Sequence, residues 1–456
     1  MKQKNQKVCV VGQGYVGLPM SIAISNSKNK NGKLNFSVIG LEKNNKRGFY
    51  LKNKVSSGIL PISTGDKKIY KMFKKSQKNK NFYITNNIAE IKKCKIIIVS
   101  INFEINHKKN NPFNSLKSFF KDFSKFIKKN TLIIVETTLP PGTSDKIIYP
   151  ILLSETKKRG FSNKEIMLSY SYERIMPGYN YYDSIVNNYR VFSGVDNRSK
   201  NKCQKFLEKI INVKKYPLHL LNSNTECEFS KILENSYRAT NIAFIDEWTK
   251  YSSTAKVDMY NVLQAIKKRH THSNIMRPGL GVGGYCLTKD PYFAAASAKT
   301  IFKKRNNFPF INLTMKTNKN MPNTSLDYIK KKVKTIKNKK VLILGLSYRE
   351  GVGDYRSSPS LMLIKKLKSL GADINVEDPM IHNFNQRELK KINNKKYEIK
   401  KYDVVIFCTP HKIYNKIKFN KFSKKTIFFD LNNIISEKNK KIFKKRKIKI
   451  FTLGKN

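Results

Sequence analysis

The chain has 456 residues, 39% of them apolar and 11% aromatic, with 91 Lys and Arg against 31 Asp and Glu for a formal net charge of +60. That length exceeds what one hydrophobic core usually serves, and the apolar content excludes wholesale disorder, so two or three folded domains are expected. The charge alone would suit nucleic acid or an anionic membrane. Lys, however, far outnumbers Arg and lies in short scattered runs such as Lys128-Lys129, Lys330-Lys331-Lys332 and Lys444-Lys445, the pattern of solvated faces rather than of a basic stripe with interleaved aromatics.

The start of the chain, Met1 to Lys7, is basic, but Gly12, Gln13 and Gly14 interrupt the apolar run that follows. It reads neither as a signal peptide nor as a membrane span, and no later stretch reaches the roughly 18 apolar residues a span requires, so a cytoplasmic protein without a membrane partner is expected. Val8-Cys9-Val10-Val11 reads as a buried strand entering a glycine turn, Gly12-Gln13-Gly14-Tyr15-Val16-Gly17, with an apolar helix from Leu18 to Ile24 behind it. This is the spacing of a dinucleotide-binding turn. Gly12 permits the tight bend, Gly14 lets backbone approach a pyrophosphate, and Gly17 lets helix pack on strand, with Tyr15 and Val16 completing the loop. The next strand, Ser37 to Leu41, ends at Glu42, an acid placed for ribose hydroxyls and repelling a 2′-phosphate, so NAD is expected over NADP. The interval from Gly12 to Glu42 exceeds the usual figure of about twenty residues, and the polar turn Lys28 to Lys33 accounts for the excess.

Further buried strands are expected at Lys95 to Ile101 and Leu132 to Thr137. From Glu226 to Ala255, Phe229, Ile232, Leu233, Ala239, Ile242, Ala243 and Ile245 recur at helical spacing without Gly or Pro, which predicts one long helix. The stretch Lys316 to Lys339, rich in Lys and Asn with Pro322 inside it, reads as the approach to a last domain. That domain opens as the first did, with Lys340-Val341-Leu342-Ile343-Leu344-Gly345, and continues through strands at Asp373 to Glu377, Asp403 to Cys408 and Thr426 to Leu431. Short β-branched runs between amphipathic stretches give the fold class: α/β, two Rossmann-like doubly wound parallel-sheet domains joined by a helical central domain, divided as residues 1–205, 206–325 and 326–456.

The six cysteines, Cys9, Cys94, Cys203, Cys227, Cys286 and Cys408, show no Cys-x-x-Cys spacing, so neither a disulfide framework nor a metal site is expected. Cys9, Cys94 and Cys408 fall in or beside apolar strands and read as small core residues. Cys286 differs. It follows Gly279, Gly281, Gly283 and Gly284, loop formers that allow close backbone approach to a ligand and leave the thiol accessible, and Asp290 comes one helical turn later.

At this point several separated motifs can be read together: GQGYVGLP (Gly12 to Pro19), ETTLPPGT (Glu136 to Thr143), YERIMPG (Tyr172 to Gly178), EFSKILEN (Glu228 to Asn235), GVGGYCLTKD (Gly281 to Asp290) and GLSYREGVGDYRSSP (Gly345 to Pro359). In their order, and over essentially the whole chain, they resemble the UDP-glucose/GDP-mannose dehydrogenase family. The resemblance implies an NAD-binding first domain, a helical middle that forms a homodimer, and a last domain that binds the nucleotide diphosphate of a UDP-sugar. It also implies four-electron oxidation of a sugar C6 alcohol to the acid with two NAD, in support of surface polysaccharide synthesis. By motif, Cys286 is the nucleophile that carries a thioester, Lys231 and Asn235 hold the oxyanion and handle protons, Asp290 organises the base or a water, Glu173 assists hydrolysis, and Thr138 serves both catalysis and cofactor. Gly283, Gly284, Tyr285, Arg349 and Arg356 fall to the substrate.

The chain departs from the family at three points. Arg349 stands where relatives usually have Lys; Ile101-Asn102-Phe103 replaces the usual Thr-Pro after the third strand; and Arg269 and His272 are the candidates for the Arg that reaches across the dimer. The loop resembles the UDP-N-acetylhexosamine branch in its glycines and the UDP-glucose branch in Tyr285 and Lys289, which leaves the sugar open. Two competing readings are a two-electron NAD-dependent dehydrogenase of another nucleotide sugar and, from another class, a basic nucleic-acid-binding protein retaining the fold.

Overall fold

In the computed structural model, which describes residues 5–105, 112–381, 390–391, 401–417, 419 and 422–455, the apolar runs become strands for the reason their composition gives. Ile96–Val99 and Leu132–Val135 are buried at every position, as strands covered on both faces must be. The chain divides into two compact units, one of residues 1–234 with 292–307, the other of residues 235–291 with 308–456.

The first unit is built on eight strands: β1 (Gln6–Val11), β2 (Phe36–Leu41), β3 (Phe82–Thr85), β4 (Ile96–Val99), β5 (Leu132–Val135), β6 (Met167–Tyr170), β7 (Arg190–Gly194) and β8 (Leu218–Leu220). They run in the order β3-β2-β1-β4-β5-β6-β7-β8. All pairs are parallel except β6 with β7. Alternate residues of β1 enter opposite cores: Val8 and Val10 meet Leu18, Ile22 and Phe73 on one face, while Cys9 and Val11 join Phe120, Phe123 and Leu152 on the other. The strand order reverses between β1 and β4, where a doubly wound sheet opens its ligand crevice. The antiparallel β7 and the short β8 extend the sheet beyond the strands expected from sequence.

The second unit carries a six-stranded parallel sheet: β9 (Lys340–Leu344), β10 (Asp373–Glu377), β11 (Lys390–Lys391), β12 (Val404–Phe407), β13 (Ile427–Asp430) and β14 (Ile450–Thr452), ordered β11-β10-β9-β12-β13-β14. All four strands expected there are present. The same doubly wound logic applies, with the reversal beside β9, and Gly345 leaves that strand at φ +100°, where a Cβ would meet Thr409 at 2.4 Å.

The long helix expected over Glu226 to Ala255 spans Asn224–Thr254. Its Ile232, Ala239, Ala243 and Ile245 are buried as their spacing requires, but Phe229 and Leu233 are exposed, as are Tyr237, Phe244, Trp248 and Tyr251. The stretch leading to the last domain is not an irregular connection. It lies mostly within a helix, Pro309–Lys332, with Pro322 inside. Met315, Asn318, Met321, Pro322, Ser325, Tyr328 and Ile329 form its buried side at spacings of three and four, so its Lys and Asn content reflects the solvated side only.

Candidate active site

The glycine turn of the first unit has the geometry its three positions require. Gly12 has φ +87°, and a Cβ there would meet the Ser100 carbonyl oxygen at 2.6 Å; one on Gly17 would meet the Gly12 carbonyl oxygen at 1.8 Å. These two glycines are forced by packing within the protein. Among the described residues, a Cβ on Gly14 would meet nothing nearer than Arg47 Nη2 at 3.7 Å, so this backbone is open to a close ligand. Glu42 follows β2, and its Oε2 accepts from the Gln13 amide at 2.8 Å, which ties the acid to the turn. The Gln13 side chain turns inward to donate to the Val10 carbonyl at 2.8 Å. The Tyr15 carbonyl accepts from the Tyr181 hydroxyl, and Val16 precedes the helix Gly17–Asn26. An open glycine backbone beside a guanidinium, with a carboxylate at the end of β2, fits a dinucleotide; Arg47 is an addition that sequence spacing did not single out.

At the carboxyl end of β5, Thr137 is buried and donates to the Ile101 carbonyl at 2.9 Å, whereas the neighbouring Thr138 is half-buried. Glu136, just before them, pairs with Arg190 and accepts from Ser100 Oγ at 2.8 Å. Burial pushes its carboxyl above the usual range, while the Arg190 guanidinium opposes that rise.

Glu173 and Lys231 are brought together. Lys231 Nζ donates to the Glu173 carbonyl at 2.8 Å, stands 3.7 Å from Glu173 Oε1, and lies 5.2 Å from the centre of the Tyr172 ring. Both side chains are buried, and the Glu173 carboxylate also accepts from the Ile175 amide. One turn before Lys231, Glu228 accepts from Ser144 N and Oγ at 2.9 and 2.7 Å. Burial pushes its carboxyl up to about 8.

In the second unit Cys286 is the one exposed thiol among the six. Burial pushes the thiols of Cys203 and Cys408 up to about 12, which removes them from thiolate chemistry. Asp290 is fully buried beneath the cysteine loop. Its amide donates to the Cys286 carbonyl at 2.9 Å, its Oδ2 accepts from Asn235 Nδ2 at 2.8 Å, and its Oδ1 meets Lys289 Nζ at 2.7 Å. Both carboxylate oxygens are thus engaged, so Asp290 holds Asn235 and Lys289 in place. Lys231 and Asn235 stand one turn apart on the helix Asn224–Thr254.

The glycines before the cysteine meet protein where the sequence points to a ligand. A Cβ on Gly283 would lie 2.8 Å from Tyr348 Cβ and from Pro359 Cδ, and one on Gly284 2.8 Å from the Tyr348 ring. Their absent side chains let the cysteine loop lie directly on the segment Tyr348–Pro359. Arg356 joins the same contact: it forks onto Asp354, with Nη2 at 2.6 Å from Oδ2, and stacks 4.8 Å from the centre of the Tyr285 ring. Arg349 is half-buried, and burial first and Arg238 second push its guanidinium below the ordinary arginine value. Two neighbouring cations of this kind are offset by an anion; Arg238 carried no sequence signal among so many basic residues. The same segment is fastened from below. Asp378 Oδ2 accepts from the Leu346 and Ser347 amides at 2.8 and 2.7 Å and lies 3.1 Å from His411 Nε2, while His411 Nδ1 accepts from the Gly351 amide at 3.3 Å. Burial would raise the Asp378 carboxyl, but His411 and the Ser347 and Met380 amides hold it below the usual range. Among the described residues no cluster of His, Cys, Asp or Glu could hold a metal ion, and no helix is long and apolar enough to cross a membrane.

With a dinucleotide turn in one unit and an accessible thiol in the other, the chain is built as an NAD-dependent dehydrogenase. It belongs to the UDP-glucose/GDP-mannose dehydrogenase family, whose NAD binding domain matches residues 6–212, central domain residues 225–320 and UDP binding domain residues 342–437. NAD is its cofactor and a UDP-sugar its substrate. The UDP-N-acetyl-D-mannosamine dehydrogenase of Methanococcus maripaludis is 29% identical over 98% of this chain and 97% of its own length. The enzyme of the same name from Campylobacter jejuni is 28% identical over 92% of this chain and 99% of its own. The fold is that of the UDP-D-ManNAc dehydrogenase from Pyrococcus horikoshii, with a TM-score of 0.78 at 23% identity over 98% of this chain and 99% of that one.

Proposed function

We propose that this enzyme oxidises the C6 alcohol of a UDP-N-acetylhexosamine, with UDP-N-acetylmannosamine as the first candidate, to the uronic acid in a four-electron reaction through a thioester on Cys286. The single observation that carries the reading is the exposed Cys286 beside a buried Asp290 that grips Asn235 at 2.8 Å. Relatives acting on UDP-N-acetylmannosamine support the choice of sugar.

Chemistry assigns the roles. An alcohol that loses a hydride must also lose a proton, and an aldehyde cannot lose a second hydride until a nucleophile adds to its carbonyl. Bound on the Gly12–Gly17 turn, NAD supplies the hydride acceptor for each of the two oxidations. Cys286 Sγ adds to the C6 aldehyde carbon to give a thiohemiacetal, and loss of the second hydride leaves a thioester. Water then cleaves the C–S bond, releasing the carboxylic acid and returning the thiol. Lys231 takes the alcohol proton and holds the developing oxyanion. Asn235 gives one amide hydrogen to Asp290 and keeps the other for the same oxygen. By motif, Glu173 assists the hydrolytic water and Thr138 serves both catalysis and cofactor. Arg349 with Arg238, and Arg356 beyond them, receive the diphosphate.

The same reading divides the chain at 205 and 325 into cofactor, central and nucleotide segments and places the enzyme in the cytoplasm, supplying surface polysaccharide synthesis. It also makes it a homodimer: Tyr237, Phe244, Trp248 and Tyr251 form an exposed apolar side of one helix, which a second copy of the chain covers.

The test incubates the pure protein with NAD and a panel of UDP- and GDP-sugars and counts NADH formed per sugar consumed. Two per UDP-N-acetylhexosamine are expected, with Cys286→Ala inactive. One NADH per sugar with an active Cys286→Ala variant would establish the two-electron reading instead. No turnover together with salt-resistant binding to DNA or RNA would turn the reading to nucleic acid.

A further inference from the structure

Arg174 follows Glu173 directly and has no part in the steps above. Its Nε and Nη2 reach Glu234 Oε2 at 3.1 and 3.0 Å, Nη2 also reaches the Tyr172 hydroxyl at 3.2 Å, and Nη1 donates to the Tyr189 carbonyl at 3.2 Å. The Tyr172 hydroxyl lies 2.9 Å from Ser230 Oγ. Ser230 and Glu234 stand immediately before and three residues after Lys231, so the segment Tyr172–Arg174 is fastened to the helix on both sides of that lysine. The Tyr172 ring bears both cations, with Lys231 Nζ at 5.2 Å and Arg174 Cζ at 5.5 Å from its centre. Lys231 closes the loop by donating to the Glu173 carbonyl at 2.8 Å.

We propose that Arg174 and Glu234 are positioning residues that fix the Lys231–Glu173 pair for turnover. The Arg174–Glu234 pair is partly exposed, with side-chain exposures of 28% and 43%, and water screens it too well for stability to be its main return. What the guanidinium provides is shape. Its planar fork satisfies a carboxylate, a phenol and a backbone carbonyl at once, which an ammonium cannot do. A lysine side chain has much rotamer freedom to lose, and a displacement of about 1 Å at a reacting group costs about a hundredfold in rate. A lysine shared between bond making and proton transfer therefore gains from a rigid ring beneath it and a fixed carbonyl ahead of it.

The inference rests on the reading that Lys231 and Glu173 act in the reaction, and the experiment separates the two. In steady-state assays with NAD and UDP-N-acetylmannosamine, Arg174→Met and Arg174→Lys are expected to lower kcat about tenfold or more, with KM for both substrates changed less than about threefold. Glu234→Gln, which keeps its acceptor oxygen, retains most of kcat, and Glu234→Ala does not. Unchanged kcat in folded Arg174→Met, or equal losses in Glu234→Gln and Glu234→Ala, would overturn the proposal. Should the wild-type enzyme turn over no nucleotide sugar, acylation of Lys231 by acetic anhydride, followed by peptide mass spectrometry, still decides the matter. Labelling of Lys231 rises several-fold in Arg174→Met, while Lys250 on the same helix stays constant. No rise sinks the proposal.

Discussion

Glu228 shows how much a single buried group can carry without touching the reaction. Its carboxyl is fully enclosed, accepts from Ser144 N and Oγ, and titrates at about 8 where a free glutamate does so at 4.5. The folded state therefore binds a proton that the unfolded state releases first. The stabilisation linked to that proton is complete below 4.5 and is lost as pH rises through about 8. Glu228→Gln keeps the acceptor oxygen and removes the titration. Melting temperatures between pH 5 and pH 9 are expected to fall more steeply in the wild type than in this variant, and parallel curves would refute the assignment. At this scale the sequence is readable where chemistry follows spacing. Lys231 and Asn235 are four apart on a helix, and Cys286 and Asp290 are four apart in a glycine-rich loop. It is unreadable where partners lie far apart in the chain, as Arg174 does from Glu234 and Arg349 from Arg238, because no spacing encodes such pairs.

Burial alone does not make an element legible: β6 and β7 are buried at every position, yet neither is expected from sequence. β1, β2, β4, β5, β9, β12 and β13 are built on apolar runs between turns, β10 alternates Ile374 and Val376 with polar residues, and all are expected from sequence. β3, β6, β7, β8, β11 and β14 are short or carry polar residues, and nothing in their periodicity separates them from loop. The helix Pro309–Lys332 is masked by its own solvated side and by Pro322, which surrounding packing tolerates inside the helix. The glycine cluster before Cys286 declares its conformational freedom in the sequence but not its contact: Gly283 and Gly284 seat the loop on Tyr348 and Pro359. Gly283→Ala would thrust a methyl against Tyr348, Pro359 and the Ser357 carbonyl and so push apart the cysteine loop and the segment bearing Arg349 and Arg356. The expected result is at least a tenfold loss in kcat/KM for the nucleotide sugar, in line with the cost of small displacements at a reacting centre, with NAD binding to the first unit unchanged in a direct titration. Equal loss of both affinities would point to general misfolding. On the long helix, Trp248→Glu places a charge in the exposed apolar side; if the proposed homodimer forms there, sedimentation is expected to show a dimer for the wild type and a monomer for the variant.

For the whole molecule, the +60 charge has to be weighed against the local cations of the substrate segment. Its lysines are dispersed, so at physiological salt, where the screening length is about 8 Å, a diphosphate bound as proposed at Arg349, Arg238 and Arg356 would respond to those three and hardly to the remainder. At low salt the screening length grows to about 30 Å at 0.01 M, and the summed field then draws in any anionic nucleotide before contact. The two contributions differ in what they move. Long-range attraction accelerates encounter and so acts on kcat/KM, whereas groups fixed around the bound substrate act on kcat as well. Raising NaCl from 0.01 to 0.3 M is therefore expected to lower kcat/KM for the UDP-sugar several-fold while kcat stays nearly constant. Arg349→Gln should lower kcat/KM at every salt concentration and leave the slope of the wild-type salt dependence almost intact, because it removes one charge of a very large excess. If Arg349→Gln abolished the salt dependence, the dispersed lysines would contribute nothing to encounter, and the attraction of the substrate would be local to the nucleotide segment.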